Sequence, residues 1–295
     1  MAAAAERVQE LDWRFLALAV TLQLAALACR AVAWRNVIAA AYPEQRIPIF
    51  SLGCAYAAGM ALNAYLPARG GEGAKIALAR AQIPGSCVAG IAASLSVLIL
   101  VDAVLGASLI VVLWATGVLP TLPSLPTLGP IFMLAAVAAV AVVVFGLIAR
   151  RFAAAFRRFL SCAVRGLAIL RNPWLFARNV LPFQLGAWAC RIGVVYLVLE
   201  AFRIEAGLAT ALLVVVLNGL STAVPVPGGA GSQQILATYA LQGVISTAAA
   251  VSFSVSMQVG VTVVNTAVGL AAMMLLFRTL HPLAAARAAR ARFAR

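Results

Sequence analysis

Residues 87–118 read CVAGIAASLSVLILVDAVLGASLIVVLWATGV, 32 residues in which Asp102 is the single carboxylate and no Lys, Arg or His occurs. A helix rises about 1.5 Å per residue, so roughly 20 apolar residues cross a ~30 Å hydrocarbon layer. The run is too short for two crossings of at least ~17 residues plus a turn, and too long for one upright crossing. One long helix, tilted or broken, is expected there, with lipid as its solvent.

Working outward, the rest of the chain repeats the pattern. Of 295 residues, 64% are hydrophobic and 10% charged, against about 25% charged in soluble domains. The polar coat of a soluble globular enzyme cannot be built from this composition. Apolar runs at 13–33, 48–67, 129–149, 179–202 and 206–224, with two more sharing 232–277, predict about eight transmembrane helices. The expected fold class is all-α, a polytopic membrane helix bundle with broken or re-entrant Pro/Gly segments, in one integral membrane domain over 1–295. Segment 232–250 is polar for a lipid-facing helix, with Gln233, Gln234, Gln242, Ser246 and Thr247; it either spans or re-enters, the latter requiring cover by protein or a water-filled cavity.

The net charge of +14 lies mostly in loops flanking the apolar runs. Anionic headgroups account for that placement, and no basic groove interleaved with aromatics points to nucleic acid. Between Arg150 and Arg178 seven arginines alternate with Phe152, Phe156, Phe159, Leu160, Leu167 and Leu170, the pattern of an amphipathic helix in the interface, with a plain solvated loop as the alternative. Basic stretches at 150–178 and at Arg278, Arg287, Arg290, Arg292 and Arg295 read as cytoplasmic. Counting back puts the Arg69–Arg80 loop and both termini on that side of a multi-pass cell-membrane protein. Ala26-Leu27-Ala28-Cys29 faintly suggests lipoprotein processing, but Glu6, Glu10 and Asp12 precede it and Arg30 follows; an uncleaved first helix is expected, with Arg14 and Arg30 snorkelling near its ends. Cys29, Cys54, Cys87, Cys162 and Cys190 show no CxxC or Cys/His spacing, and His281 is the lone histidine. They read as packing residues, with no metal and no cofactor expected.

Two polar, glycine-rich elements interrupt the apolar background. The first reads NAYLPARGGEGAK over residues 63–75, followed by Arg80. Pro67 ends a helix, Gly70, Gly71 and Gly73 allow tight turns with exposed amides, and Arg69, Lys75 and Arg80 surround them, the parts of a phosphate-binding corner. Glu72 either clamps a neighbouring cation or takes part in proton or cation coupling. The bland reading is a positive-inside loop. The second reads NGLSTAVPVPGGAGSQQ over residues 218–234. Pro225, Pro227, Gly228, Gly229 and Gly231 break one helix and release another, whose free N–H groups would favour an anion at membrane depth; a tight turn between helices is the alternative. Asn63 and Asn218 open the two elements about 155 residues apart. The shared plan suggests halves 1–150 and 151–295, like the parallel repeats of some transporters. Within spans, Asp102 and Arg191 carry an insertion cost of about 2.5–3.5 kcal/mol each, and their similar depth and opposite sign predict that they pair.

At these elements the sequence resembles the lysylphosphatidylglycerol synthase transmembrane-domain family, also called flippase-like. The family pattern of Asn, Pro, Arg, Gly-Glu and a basic residue three positions on falls on Asn63, Pro67, Arg69, Gly71, Glu72 and Lys75. Its later Pro-Gly-Gly-x-Gly turn falls on Pro227, Gly228, Gly229 and Gly231, and the resemblance extends over nearly the whole chain in length and hydropathy. Lys75 replaces an arginine, Gln234 a glutamate, and Leu98-Ile99 a Glu-Arg pair that precedes Asp102. The resemblance implies a module that moves or presents an anionic lipid across the bilayer, sometimes fused to an aminoacylating domain for which the tail after Phe277 has no room.

The expected function is therefore an anionic-lipid translocator, with no catalytic residues. A phosphate headgroup, on a phospholipid or a polyprenyl carrier, would be held by Arg69, Lys75, Arg80 and the amides after Pro227, in a site including Asn63, Pro67, Gly71, Glu72, Asn218, Pro225, Gly228, Gly229, Gly231 and Gln234. No nucleotide-binding motif is present, so a gradient or the lipid's own asymmetry would drive it. The alternatives are a lipid-headgroup transferase or hydrolase with Glu72 or Asp102 as base, and a non-catalytic partner of a lipid-synthesis enzyme.

Overall fold

A computed structural model describes residues 12–66, 70–117, 153–204, 207–221, 231–241 and 244–277; they are helices and their connections, with no strand among them. In chain order the α-helices are α1 (Trp13–Ala41), α2 (Ile49–Asn63), α3 (Gly70–Arg80), α4 (Val88–Ala115), α5 (Ala153–Gly166), α6 (Pro173–Asn179), α7 (Leu181–Ala201), α8 (Leu208–Ser221), α9 (Ser232–Ala240) and α10 (Thr247–Phe277). Four stretches are long and apolar enough to cross a membrane: α1, α4, Pro173–Ala201 (α6 continued by α7) and α10. The protein is an all-α membrane helix bundle. The expected span at 129–149 and the arginine-rich tail lie outside the described residues.

The 87–118 run forms a single helix, α4, of 28 residues. The first helix runs further than the expected 13–33 because its polar C-terminal residues find backbone partners: Arg35 Nε donates to the Ile47 carbonyl at 3.2 Å and Asn36 Nδ2 to the Asn179 carbonyl at 2.7 Å. Satisfied in this way, they need no water, and the helix continues to Ala41.

α1 and α7 lie side by side along their length and run antiparallel. The Asp12 N–H reaches the Ala201 carbonyl at 3.4 Å at one end, while Asn36 meets Asn179 at the other. Gly186 faces Cys29 and Gly193 faces Leu22 between them. Small residues at such a seam let helix backbones approach where no hydrophobic force separates lipid from protein.

α2 and α3 form a hairpin that starts and finishes at the same end of α1. Gln45, just before α2, donates to the carbonyl of Pro84, just after α3, and Tyr42 at the end of α1 lies 3.8 Å from Cys87 Sγ at the start of α4. With 15 and 11 residues, α2 and α3 reach about 22 and 16 Å, short of a ~30 Å layer. The run at 48–67 is therefore not a full crossing, and the described part of the expected Arg69–Arg80 loop is a helix folded back on α2. The count of crossings that puts the N-terminus at the cytoplasmic surface runs through 48–67 as a span, and that step drops out.

α8 and α9 repeat the arrangement with 14 and 9 residues. Leu241 after α9 packs in one apolar cluster with Leu199 of α7, Ile204, and Ala250 and Phe253 of α10, which closes this hairpin at the other end of the bundle. Phe202 meets the Phe253 ring edge-on at 5.6 Å in the same place. Segment 232–250 thus re-enters rather than spans, as far as its described residues go. Among the described residues the order long, short, short, long occurs twice, in α1–α4 and in α7–α10, with α5, a 3-10 turn (Ala168–Arg171) and α6 between. Apolar and basic residues segregate around α5, as an interfacial helix requires.

Candidate functional site

The first hairpin buries a lysine. Its two helices touch because Gly59 and Gly71 face each other: a Cβ on Gly71 would collide with the Gly59 carbonyl, and one on Gly59 with Lys75 Cγ. The absent side chain of Gly59 makes the groove that takes the Lys75 stem. Lys75 is 2% exposed, with Nζ 2.8 Å from Glu72 Oε1, 3.3 Å from Met60 Sδ and 4.2 Å from the centre of the Tyr56 ring. A buried ammonium demands such company, since leaving it unpaired in a low-dielectric interior costs several kcal/mol.

Glu72 Oε1 also accepts from Asn63 Nδ2 at 2.8 Å, so one carboxylate oxygen joins the end of α2 to the first turn of α3. Asn63 Oδ1 is buried without a donor among the described residues. Three of the expected residues, Asn63, Glu72 and Lys75, are thus one cluster, and Gly71 belongs to it as a packing residue. Arg80, in the last turn of α3, is exposed away from them. Pro67 and Arg69 lie outside the described residues.

From Lys75 the polar contacts continue inward. The Tyr56 ring carries Lys75 on its face, and Tyr56 lies near enough to Arg30 for the two to interact. Arg30 lies 3.0 Å from Asp102, which also accepts from Trp188 Nε1 at 2.9 Å. The series Asp102, Arg30, Tyr56, Lys75, Glu72, Asn63 therefore links α4, α1, α2 and α3 through the interior. The expected Asp102–Arg191 pair is corrected here: Asp102 pairs with Arg30, which lies well inside the long α1 instead of snorkelling at its end. Arg191 stands with its guanidinium carbon 5.9 Å from the ring of Trp188. The charge missing at Leu98-Ile99 is supplied from another helix.

At the second element, Asn218 is buried near the end of α8. Pro225, Pro227, Gly228 and Gly229 lie outside the described residues. Gly231 caps α9 with φ +84°, a conformation that favours glycine. Its N–H, expected to be free for an anion, donates to Gln234 Oε1 at 2.6 Å, and Gln234 Nε2 donates in turn to Gln258 of α10. Gln234 is the third residue of α9 as Glu72 is of α3, and an amide pair stands where the first hairpin has an ion pair.

α10 holds both hairpin tips. Gln258, eleven residues after its start, takes Gln234; Thr266, eleven before its end, takes the Tyr65 hydroxyl at 2.8 Å. Eight residues separate the two fastenings, about 12 Å of helix. Between them Asn265 accepts from Gln23 of α1 at 3.1 Å. Arg30, Tyr56, Met60, Gly59, Gln258 and Thr266 were not among the expected site residues. Only Arg30 left a sequence signal, as a cation of the right sign to meet Asp102.

A family model described as Lysylphosphatidylglycerol synthase TM region matches residues 1–286, which takes in every helix just described. The chain belongs to that family. No curated protein and no solved structure matches it. Membership of the lysylphosphatidylglycerol synthase TM region family makes this a membrane protein related to lipid modification, and the Lys75–Glu72 hairpin and its α10 fastening lie inside the matched region.

Proposed function

We propose that the protein moves the phosphate headgroup of an anionic lipid between leaflets while the acyl chains stay in lipid. The observation that carries this reading is Lys75, an ammonium 2% exposed in a hairpin too short to cross the membrane. A headgroup charge in hydrocarbon costs many kcal/mol unless fixed donors replace its water. A cation already dehydrated, on a short helix entering from one face, supplies such a donor at membrane depth.

The helix order supports an internal relationship. We take α1–α4 and α7–α10 as two related units of opposite orientation, because their first helices are antiparallel and their hairpins close at opposite ends of the bundle. Parallel halves at 1–150 and 151–295 would run their first helices in the same direction. Inverted units with short, interrupted helices meeting near the midplane suit alternating exposure of one site to two faces.

Full-length protein in phosphatidylcholine liposomes should accelerate leaflet exchange of fluorescent phosphatidylglycerol, and Lys75→Met should slow it at least about tenfold. Lipid mass should be unchanged by mass spectrometry, which separates translocation from headgroup transfer or hydrolysis. No acceleration under any gradient would sink the proposal.

A further inference from the structure

Among the described residues, the two ion pairs that meet near Lys75 balance in charge before any lipid arrives. Lys75 is matched by Glu72 at 2.8 Å and Arg30 by Asp102 at 3.0 Å. These four side chains sum to zero. If a phosphate monoanion came to Lys75 with Glu72 still ionised, these four side chains and the phosphate would together carry a net negative charge within the membrane, at a cost of several kcal/mol. We infer that a proton accompanies the headgroup: Glu72 takes it up, Lys75 passes from carboxylate to phosphate, and one proton crosses with each phosphate charge. This rests on the translocation reading above.

Two further observations support it. Asn63 Oδ1 is a buried acceptor lacking a donor, and it belongs to the same amide that donates to Glu72 Oε1. An ionised Glu72 has no hydrogen to offer it, whereas a protonated one does, which would satisfy an acceptor that is otherwise costly to bury. The second hairpin carries Gln234 near its tip, paired with Gln258 of α10. Its neutral amides have no proton to exchange, so the stoichiometry is one proton, taken at the first hairpin.

Among the described residues, the groups around Glu72 are these. Its own helix presents Lys75 and, further on, the exposed Arg80. From α2 come Asn63 on the carboxylate and Tyr56 and Met60 on its lysine. α4, also packed on α3, carries Asp102, which Arg30 and Trp188 hold. The proton balance is simple: the acidic side supplies the proton, the carboxylate becomes the acid on loading, and the proton leaves with the headgroup at the alkaline side.

The test uses full-length protein in phosphatidylcholine vesicles with fluorescent phosphatidylglycerol as the probe, reading its final leaflet ratio rather than a rate. One-to-one coupling predicts that a one-unit pH difference enriches the probe about tenfold in the leaflet facing the alkaline side. A potassium–valinomycin potential alone should leave the ratio near one. Glu72→Gln should reverse these responses, following potential and ignoring pH; folding of the variant is checked by size-exclusion profile. For wild type, which needs no variant to fold, a ratio that follows potential and ignores pH overturns proton coupling and leaves translocation standing. No exchange at all overturns both. A parallel arm with trapped inorganic phosphate asks whether the shared phosphate chemistry suffices: phosphate efflux with no movement of the lipid probe overturns the lipid assignment.

Discussion

Arg30 of α1 and Asp102 of α4 meet at 3.0 Å inside the bundle, with Trp188 Nε1 of α7 on the same carboxylate at 2.9 Å. Three helices are thereby joined through one carboxyl group. Removing either charge leaves the other dehydrated and unmatched, while removing both leaves two apolar side chains in an apolar place. Arg30→Met or Asp102→Leu alone should cost about 3 kcal/mol, and the double substitution clearly less than either. Thermal unfolding in detergent across the four proteins of a double-mutant cycle measures this coupling. Arg191→Met in the same series should show much weaker coupling to Asp102.

The crossing of α2 and α3 depends on two missing methyl groups. In Gly71→Ala the new Cβ would meet the Gly59 carbonyl and lie 2.6 Å from Asn63 Oδ1, and a backbone atom cannot rotate aside as a side chain can. A loss of about 1–3 kcal/mol is expected. Gly73→Ala, on the same short helix, meets nothing within 4 Å and should be neutral or stabilising by up to about 1 kcal/mol. Comparing the two melting temperatures separates the crossing from helix propensity.

Cys87 and Cys162 lie close together where α5 packs on the start of α4, the Cys87 sulfur and the Cys162 carbonyl both flanking Gly90. Burial works to raise the Cys87 thiol, but hydrogen bonds from Cys162, the Gly90 N–H and Tyr42 outweigh it and hold the thiol below its ordinary range. The Cys162 thiol is pushed up, first by its bond to Cys87. A depressed thiol is ionised at lower pH, so maleimide labelling of Cys87 should persist further into acid than that of Cys162. Copper-phenanthroline and oxygen, accepting two electrons and two protons, should join the pair, and Cys162→Ser should abolish the cross-link seen by peptide mass.

Opposite closure of the two hairpins is open to a direct chemical check. Glu44, between α1 and α2, and Ser246, just before α10, are both exposed. In a cysteine-free background, Glu44→Cys and Ser246→Cys should react with a membrane-impermeant maleimide from opposite faces of intact vesicles. Labelling of both from the same face would contradict inverted units.

Much of the bundle can be read in the sequence because lipid imposes a length rule on apolar runs. Residues 88–115 form one helix for that reason, and the arginines after 150 alternate with apolar residues because an interface has two sides. The hairpins are harder to read. A run such as 48–67 has the length of a span, and contacts distant in sequence, such as that of Gln45 with Pro84, show that the chain turns back. Lys75 looks like a surface cation beside glycines, and its burial is decided by Gly59 on another helix. Asp102 announces that it needs a partner without saying which, because opposite sign and similar depth fit more than one cation.

The two fastenings on α10 have a mechanical corollary. Gln258 and Thr266 are eight residues apart, so at about 100° per residue they project roughly 80° from each other around one rigid rod. Both contacts are made at once, so any roll of that rod strains the two together, and the tips of both hairpins take their bearing from one helix.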